Sequence, residues 1–164
     1  MSWHALEPVD ESFFVTAPHI YRFPVDLPVP PERVWQSLTS DESIAAWGPA
    51  VKSLRWTTPR PFGEGSTREV ALPLGTITVR ERFFVWDEGK RYSFAVYEAD
   101  RPFLRRFAED YVVEPHGGGT RFTWTIAIEA EPRYRLLVAL SSPVNRLSFG
   151  QAARSAKSYF AKHP

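Results

Sequence analysis

Val25-Asp26-Leu27-Pro28-Val29-Pro30-Pro31-Glu32-Arg33-Val34-Trp35 is the stretch that decides the fold. Its first residues finish an alternating run over His19–Leu27, in which Tyr21, Phe23, Val25 and Leu27 share one face and Arg22 and Asp26 the other, the period of a half-buried strand. Pro24 falls on the outer set, which suits a strand near an edge. Pro30 and Pro31 then stop the strand and open a helix, since proline is tolerated in a first helical turn, and Val34, Trp35 and Leu38 fall on one face. A second short helix over residues 41–47 follows, with Thr39 and Glu42 placed as a capping box, Ile44 and Trp47 three apart, and Gly48-Pro49 as its stop.

Downstream the period stays at two. Strands are expected at residues 51–56, 66–72, 76–86, 91–98, 107–114 and 120–129. Their turns are Phe62-Gly63-Glu64-Gly65, Pro73-Leu74-Gly75, Asp87-Glu88-Gly89-Lys90 and Pro115-His116-Gly117-Gly118-Gly119. Connections this short force antiparallel pairing. After Pro132 the pattern turns helical. Ser142-Pro143 reads as a cap and first-turn proline for a main helix ending near residue 161. Val144, Leu147, Gln151 or Ala152, Ser155 and Tyr159 form its buried stripe, and residues 133–140 a short helix before it. The order predicts an α+β fold: a curved antiparallel sheet wrapped on one long C-terminal helix, with two short helices after the first strand and a cavity between sheet and helix. Residues 1–18 read as an N-terminal extension, too apolar at Phe13, Phe14 and Val15 to float freely, and residues 19–164 as the domain.

Composition removes several function classes. The 164 residues carry a net charge of +1, with 43% hydrophobic, 24% charged and 15% aromatic residues, which fits one folded domain and gives no basic surplus for nucleic acid. With no cysteine there is no disulfide, thiolate metal site or cysteine nucleophile. No apolar run approaches a membrane span, so no integral membrane association is expected. The N-terminus lacks the blocks of a signal peptide, so a cytoplasmic location is expected. His4, His19, His116 and His163 show no ligand spacing, and neither metal nor cofactor is expected. Ser141 and Ser142 are helix punctuation, and the Gly117–Gly119 run leads into a strand, not the helix that phosphate binding requires.

These features together resemble the START-like helix-grip proteins, and within them the polyketide cyclase/dehydrase-type group often called SRPBCC proteins. The features are the first strand, Pro30-Pro31-Glu32-Arg33-Val34-Trp35, the helix ending in Trp47-Gly48-Pro49, Gly63 and Gly65 before a strand, Gly119-Thr120-Arg121 opening the last strand, and the terminal helix. The resemblance covers about residues 19–161. It implies a seven-stranded antiparallel sheet gripping the helix around a deep hydrophobic tunnel. It does not imply one activity, because members include aromatase/cyclases, lipid and sterol carriers, hormone receptors and quinone-binding proteins.

Strand alternation names the inward side chains. Those expected to line a ligand site are Arg68, Val70, Val79, Glu81, Phe83, Tyr92, Phe94, Glu98, Glu109, Tyr111, Phe122, Trp124 and Ile126. Four of them are charged: Arg68, Glu81, Glu98 and Glu109 must pair, reach water, or leave the core through a bulge. In a binding role Arg68 would anchor a ligand carboxylate, phenolate or carbonyl. In a catalytic role Arg68, Glu81 and Glu109 are the candidates, a glutamate serving as general base and Tyr92 or Tyr111 donating to a developing enolate. The structural alternative is that strand ends place Glu98 and Glu109 in solvent, while Arg68 and Glu81 merely pair across neighbouring strands. Three functions follow: binding of a hydrophobic small molecule (lipid, polyketide or quinone) for transport or sensing, a metal-free cyclase or dehydratase, or a co-chaperone-like module that docks another protein. The chain would act as a monomer or homodimer.

Overall fold

The computed structural model describes residues 2–73 and 76–164. Leu74 and Gly75 of the expected Pro73-Leu74-Gly75 turn lie outside the described residues. The elements are β1 (His4–Ala5), α1 (Phe13–Thr16), β2 (His19–Leu27), α2 (Pro31–Leu38), a 3₁₀ turn (Ser43–Trp47), β3 (Ser53–Trp56), β4 (Thr67–Ala71), β5 (Thr78–Asp87), β6 (Arg91–Ala99), β7 (Leu104–His116), β8 (Gly119–Ala130), a 3₁₀ turn (Pro132–Tyr134) and α3 (Arg135–Lys162). The sheet runs β2-β8-β7-β6-β5-β4-β3, antiparallel throughout. An eighth strand comes from the N-terminal stretch. β7 pairs with β6 only as far as Ala95, and β1 takes up the far end of β6 at Glu98 and Ala99.

Local chemistry accounts for the turns and joints. β7 and β8 meet through a two-residue hairpin in which Gly117 (φ 57°) and Gly118 (φ 80°) are both left-handed, the mirror-image turn that matches strand twist. Gly119 has a different reason to be glycine: a Cβ there would run into the Leu27 carbonyl oxygen of the neighbouring strand. Gly119→Ala is expected to lower stability by about 1–3 kcal/mol, read as a lower urea midpoint at unchanged slope. Pro24 sits exposed on β2, an edge strand, where its missing N–H costs nothing. Four buried or half-buried indoles satisfy their N–H groups and tie elements together. Trp35 and Trp86 both donate to Glu88, each at 2.7 Å, clamping α2 to the β5–β6 hairpin. Trp47 donates to the Ser37 hydroxyl and Trp56 to the Ser40 carbonyl, both at 2.9 Å.

Three bulges reset strand parity, two on the β5–β6 pair and one near the start of β7, between Leu104 and Arg106. On β5 the register slips between Phe83 and Val85, so Val85 leaves the inner face after Phe84, and Trp86 packs inward with Trp35, Phe83 and Tyr92. On β6 a slip opposite Arg80 and Glu81 leaves Tyr97 unpaired, and Glu98 emerges on the outer face. That outer face is covered by the N-terminal stretch: Phe13 and Phe14 are buried against Ala108 and Ala127, Phe14 stacks on Phe84, and Arg106 lies over the Phe13 ring.

The helical expectations need three corrections. Residues 135–162 form one continuous helix, not two: Pro143 removes a single N–H, and the helix runs through it. Its buried residues are Gly150, Ala153, Ala156 and Phe160, all in the second half, whereas Val144 and Leu147 are 64% and 65% exposed. Val144 and Leu147 of the expected stripe therefore face solvent, together with Leu136 and Leu140, while Ala152, Ser155 and Tyr159 are half-buried. Thr39 makes no capping box with Glu42; its hydroxyl donates back to the Trp35 carbonyl, and a 3₁₀ turn stands where a second short helix was expected.

Candidate functional site

Between the inner face of the sheet and α3 lies a cavity of about 1060 Å³, at the upper end of ordinary ligand pockets. The sheet supplies Val70, Val79, Glu81, Val96, Phe107, Glu109, Tyr111, Phe122, Trp124 and Ile128 to its wall. The helix supplies Leu137, Val138, Ser141, Asn145, Ser148, Phe149, Gln151 and Ala152, and Ile44 and Trp47-Gly48-Pro49 close one end. The wall is mostly apolar, because β4 to β8 point every second residue inward and those positions are largely Val, Ile, Phe and Trp.

Of the thirteen expected residues, Val70, Val79, Glu81, Glu109, Tyr111, Phe122 and Trp124 line this cavity. Arg68, Phe83, Tyr92, Phe94 and Ile126 do not reach it. They are inward but fully buried, packed behind the wall in the aromatic core or, for Ile126, against Tyr21 and Ile128. Glu98 is on the other face of the sheet, where the β6 bulge sends it, and pairs with Arg80 at 2.8 Å.

Arg68 is the largest fully buried side chain, at 0% exposure. Its Nε donates to Glu81 Oε2 at 2.5 Å across the β4–β5 pair, and its Nη1 donates to the Ser43 hydroxyl at 3.3 Å. The guanidinium is ringed by Phe94 (4.5 Å), Phe83 (5.0 Å), Trp56 (5.4 Å) and Tyr92 (5.9 Å). Desolvation opposes its charge, but the Glu81 carboxylate more than offsets that and holds it protonated. Burial pushes the Glu81 carboxyl up, and Arg68 opposes the shift. Arg68 Nη2 and the Tyr92 hydroxyl lie close together without a hydrogen-bond partner among the described residues, and burial pushes the Tyr92 phenol up to about 12. Arg68 is therefore committed to Glu81 and screened from the cavity, and it cannot anchor a ligand carboxylate as the sequence reading expected.

Glu109 is different. It is 8% exposed, lines the cavity, and is held by neutral donors in place of a cation. Its Oε2 accepts hydrogen bonds from the Tyr111 hydroxyl (2.7 Å) and the Trp124 indole N–H (2.8 Å). Burial, with the charge of Glu81 adding to it, pushes the carboxyl up to about 8 against the two donors that favour ionisation. At neutral pH it is mostly a carboxylic acid. Tyr111 is pushed well above its ordinary value by burial and by Glu109.

Two contributions escape a reading of the sequence. Ser43, fully buried with a left-handed φ of 47°, turns its hydroxyl under Arg68 while donating to the Leu38 carbonyl at 2.6 Å. A serine in that backbone region has no sequence signature. The α3 wall is missed because Val144 and Leu147 set the expected helix phase. Ser141, Asn145, Ser148 and Ala152, spaced at three and four, carry the usable signal.

A curved antiparallel sheet holding a long C-terminal helix over an internal apolar cavity defines a helix-grip protein of the START-like kind. The chain belongs to the family described as polyketide cyclase / dehydrase and lipid transport, whose model matches residues 19–158. An uncharacterized protein of Mycobacterium tuberculosis H37Rv, Rv2574, is 33% identical over 153 residues, covering 93% of this chain and 91% of its own. Among solved structures, TTHA0849 from Thermus thermophilus superposes with a TM-score of 0.72 at 21% identity, over 88% of this chain and 99% of the other. A START superfamily protein from Mycobacterium smegmatis does so at 0.61 and 13%, over 84% and 97%. At those identities the structural likeness speaks for the fold alone. No helix among the described residues is long and apolar enough to cross a membrane.

Proposed function

We propose that this protein binds a hydrophobic small molecule, of lipid, polyketide or quinone type, inside the cavity, as a cytoplasmic carrier or sensor. The observation that carries the reading is the cavity itself: about 1060 Å³ walled mainly by Val, Ile, Leu, Phe and Trp side chains, with few polar groups to orient a guest. Membership of a family described by lipid transport supports it. Mass spectrometry of an organic extract of the purified protein tests it, beside Ala152→Trp, which places an indole in the cavity from α3. A compound recovered near one per chain from the wild type and lost from the folded variant is expected. Equal recovery from both would place the ligand elsewhere. Where the extract is empty, thermal-shift screening replaces it, since a true ligand at a hundred times its Kd adds about 2.7 kcal/mol.

A second reading, a cyclase or dehydratase, draws on one feature. Glu109 carries a carboxyl titrating near neutrality, 2.7 Å from a phenol, at the wall of a cavity able to hold a folded chain. In that reading Glu109 exchanges the proton, and neither Arg68 nor Glu81 takes part.

A further inference from the structure

The cavity wall has an asymmetry of charge. Glu81 and Glu109 both border it, and among the described residues no Lys, Arg or His does. The buried cation nearby, Arg68, is behind Glu81, bonded to it and ringed by aromatics. An anionic head group entering this space would meet two carboxyl groups and no counter-ion, and burying an unpaired anion is costly.

Glu109 then decides what can be held. Both of its donors, Tyr111 and Trp124, converge on Oε2, and Oε1 carries no hydrogen bond among the described residues. A proton on this carboxyl is accommodated on Oε1, because Oε2 is already occupied by two N–H or O–H donors. Protonated Glu109 thus offers one O–H donor on the sheet side of a mainly apolar wall, opposite Ser141, Asn145 and Ser148 of α3. The titratable and charged groups around it are Glu81 on β5, Arg68 on β4, Tyr92 on β6 and Tyr111 on its own strand; α3 lines the cavity opposite with no ionisable residue.

Resting on the reading of the cavity as a binding site, we infer that it selects neutral ligands bearing a hydrogen-bond acceptor such as a ketone, quinone or ester oxygen, held by the Glu109 O–H, and that it rejects carboxylates such as free fatty acids. The selection is made by what lines the wall and needs no moving part.

Three probes of equal carbon count test this by isothermal titration calorimetry at pH 7 and pH 9: methyl decyl ketone, dodecanoic acid and dodecylamine. At pH 7 the ketone is expected to bind at least about tenfold more tightly than the acid. From pH 7 to pH 9 its affinity should fall about tenfold, as the fraction of protein with protonated Glu109 falls around a midpoint near 8. In Glu109→Gln the amide N–H₂ replaces the O–H, and ketone affinity should become level across the two pH values. Dodecanoate binding as tightly as the ketone overturns the inference and leaves the cavity reading standing. So does dodecylamine binding more tightly at pH 7, or a pH dependence that survives in Glu109→Gln. Failure of all three probes to bind overturns both.

Discussion

Glu81→Ala is expected to cost about 3–5 kcal/mol of stability, because it strands the Arg68 guanidinium in an apolar, aromatic surround with only the Ser43 hydroxyl for a partner among the described residues. For a chain of this length that corresponds to a fall in Tm of roughly 6–20 °C. The ion pair itself need not be stabilising. Two charges were taken out of water to form it, and the attraction across 2.5 Å competes with that desolvation. The double replacement Arg68→Met with Glu81→Leu should therefore fold within about 1 kcal/mol of the wild type or above it, although each single change is damaging. Urea denaturation of the four proteins measures the cycle. A loss below about 1 kcal/mol for Glu81→Ala would mean that water reaches Arg68, contrary to its place behind the cavity wall.

Stability should also fall as pH rises toward 9, and Glu109 should be the cause. Its carboxyl titrates at about 8 in the folded protein against an ordinary 4.5, so between those values the folded state holds a proton that the unfolded state has released. The folded state binding more protons makes unfolding easier as pH rises. The stabilisation is complete below about pH 4.5 and is lost as pH passes through 8. The limiting slope is about 1.4 kcal/mol per pH unit, for a total of roughly 3–6 kcal/mol. Glu109→Gln keeps the shape and an acceptor for Tyr111 and Trp124 but has no proton to lose, and its stability curve should be flatter by that amount. Chemical denaturation at unit pH intervals from 5 to 9 gives the comparison. Parallel curves for the two proteins would show that Glu109 is ionised or solvated throughout.

Much of this architecture is legible because alternation is a direct imprint of burial. His19–Leu27, the β5–β6 hairpin and the glycine turn before β8 stand within a few residues of their expected places. Sheet parity alone also assigns Arg68, Glu81 and Glu109 to the inner face. What alternation cannot carry is a change of phase. The extra residues at Phe84 and Tyr97 leave no mark in composition, yet they exchange Val85 for Trp86 and move Glu98 to the outside. Nor can parity say how deep an inward side chain lies. Arg68 and Glu81 are register partners, but one is sealed behind the wall and the other borders the cavity. On α3, Ser142-Pro143 carries the chemistry of a helix start, and tertiary packing of the second half outweighs the single missing hydrogen bond.

The family model begins at residue 19, but Phe13 and Phe14 are buried to 1% and 6% exposure on the outer face of β7 and β8. The match to the family model thus leaves out two residues that this chain uses to cover its sheet. Ala108 and Ala127 are small where the two rings rest, and Phe84 is apolar where a bare sheet would call for polar groups. The N-terminal arm and those three positions depend on one another: removing the arm would bare an apolar back to the sheet, while the front, facing the cavity, would keep its lining.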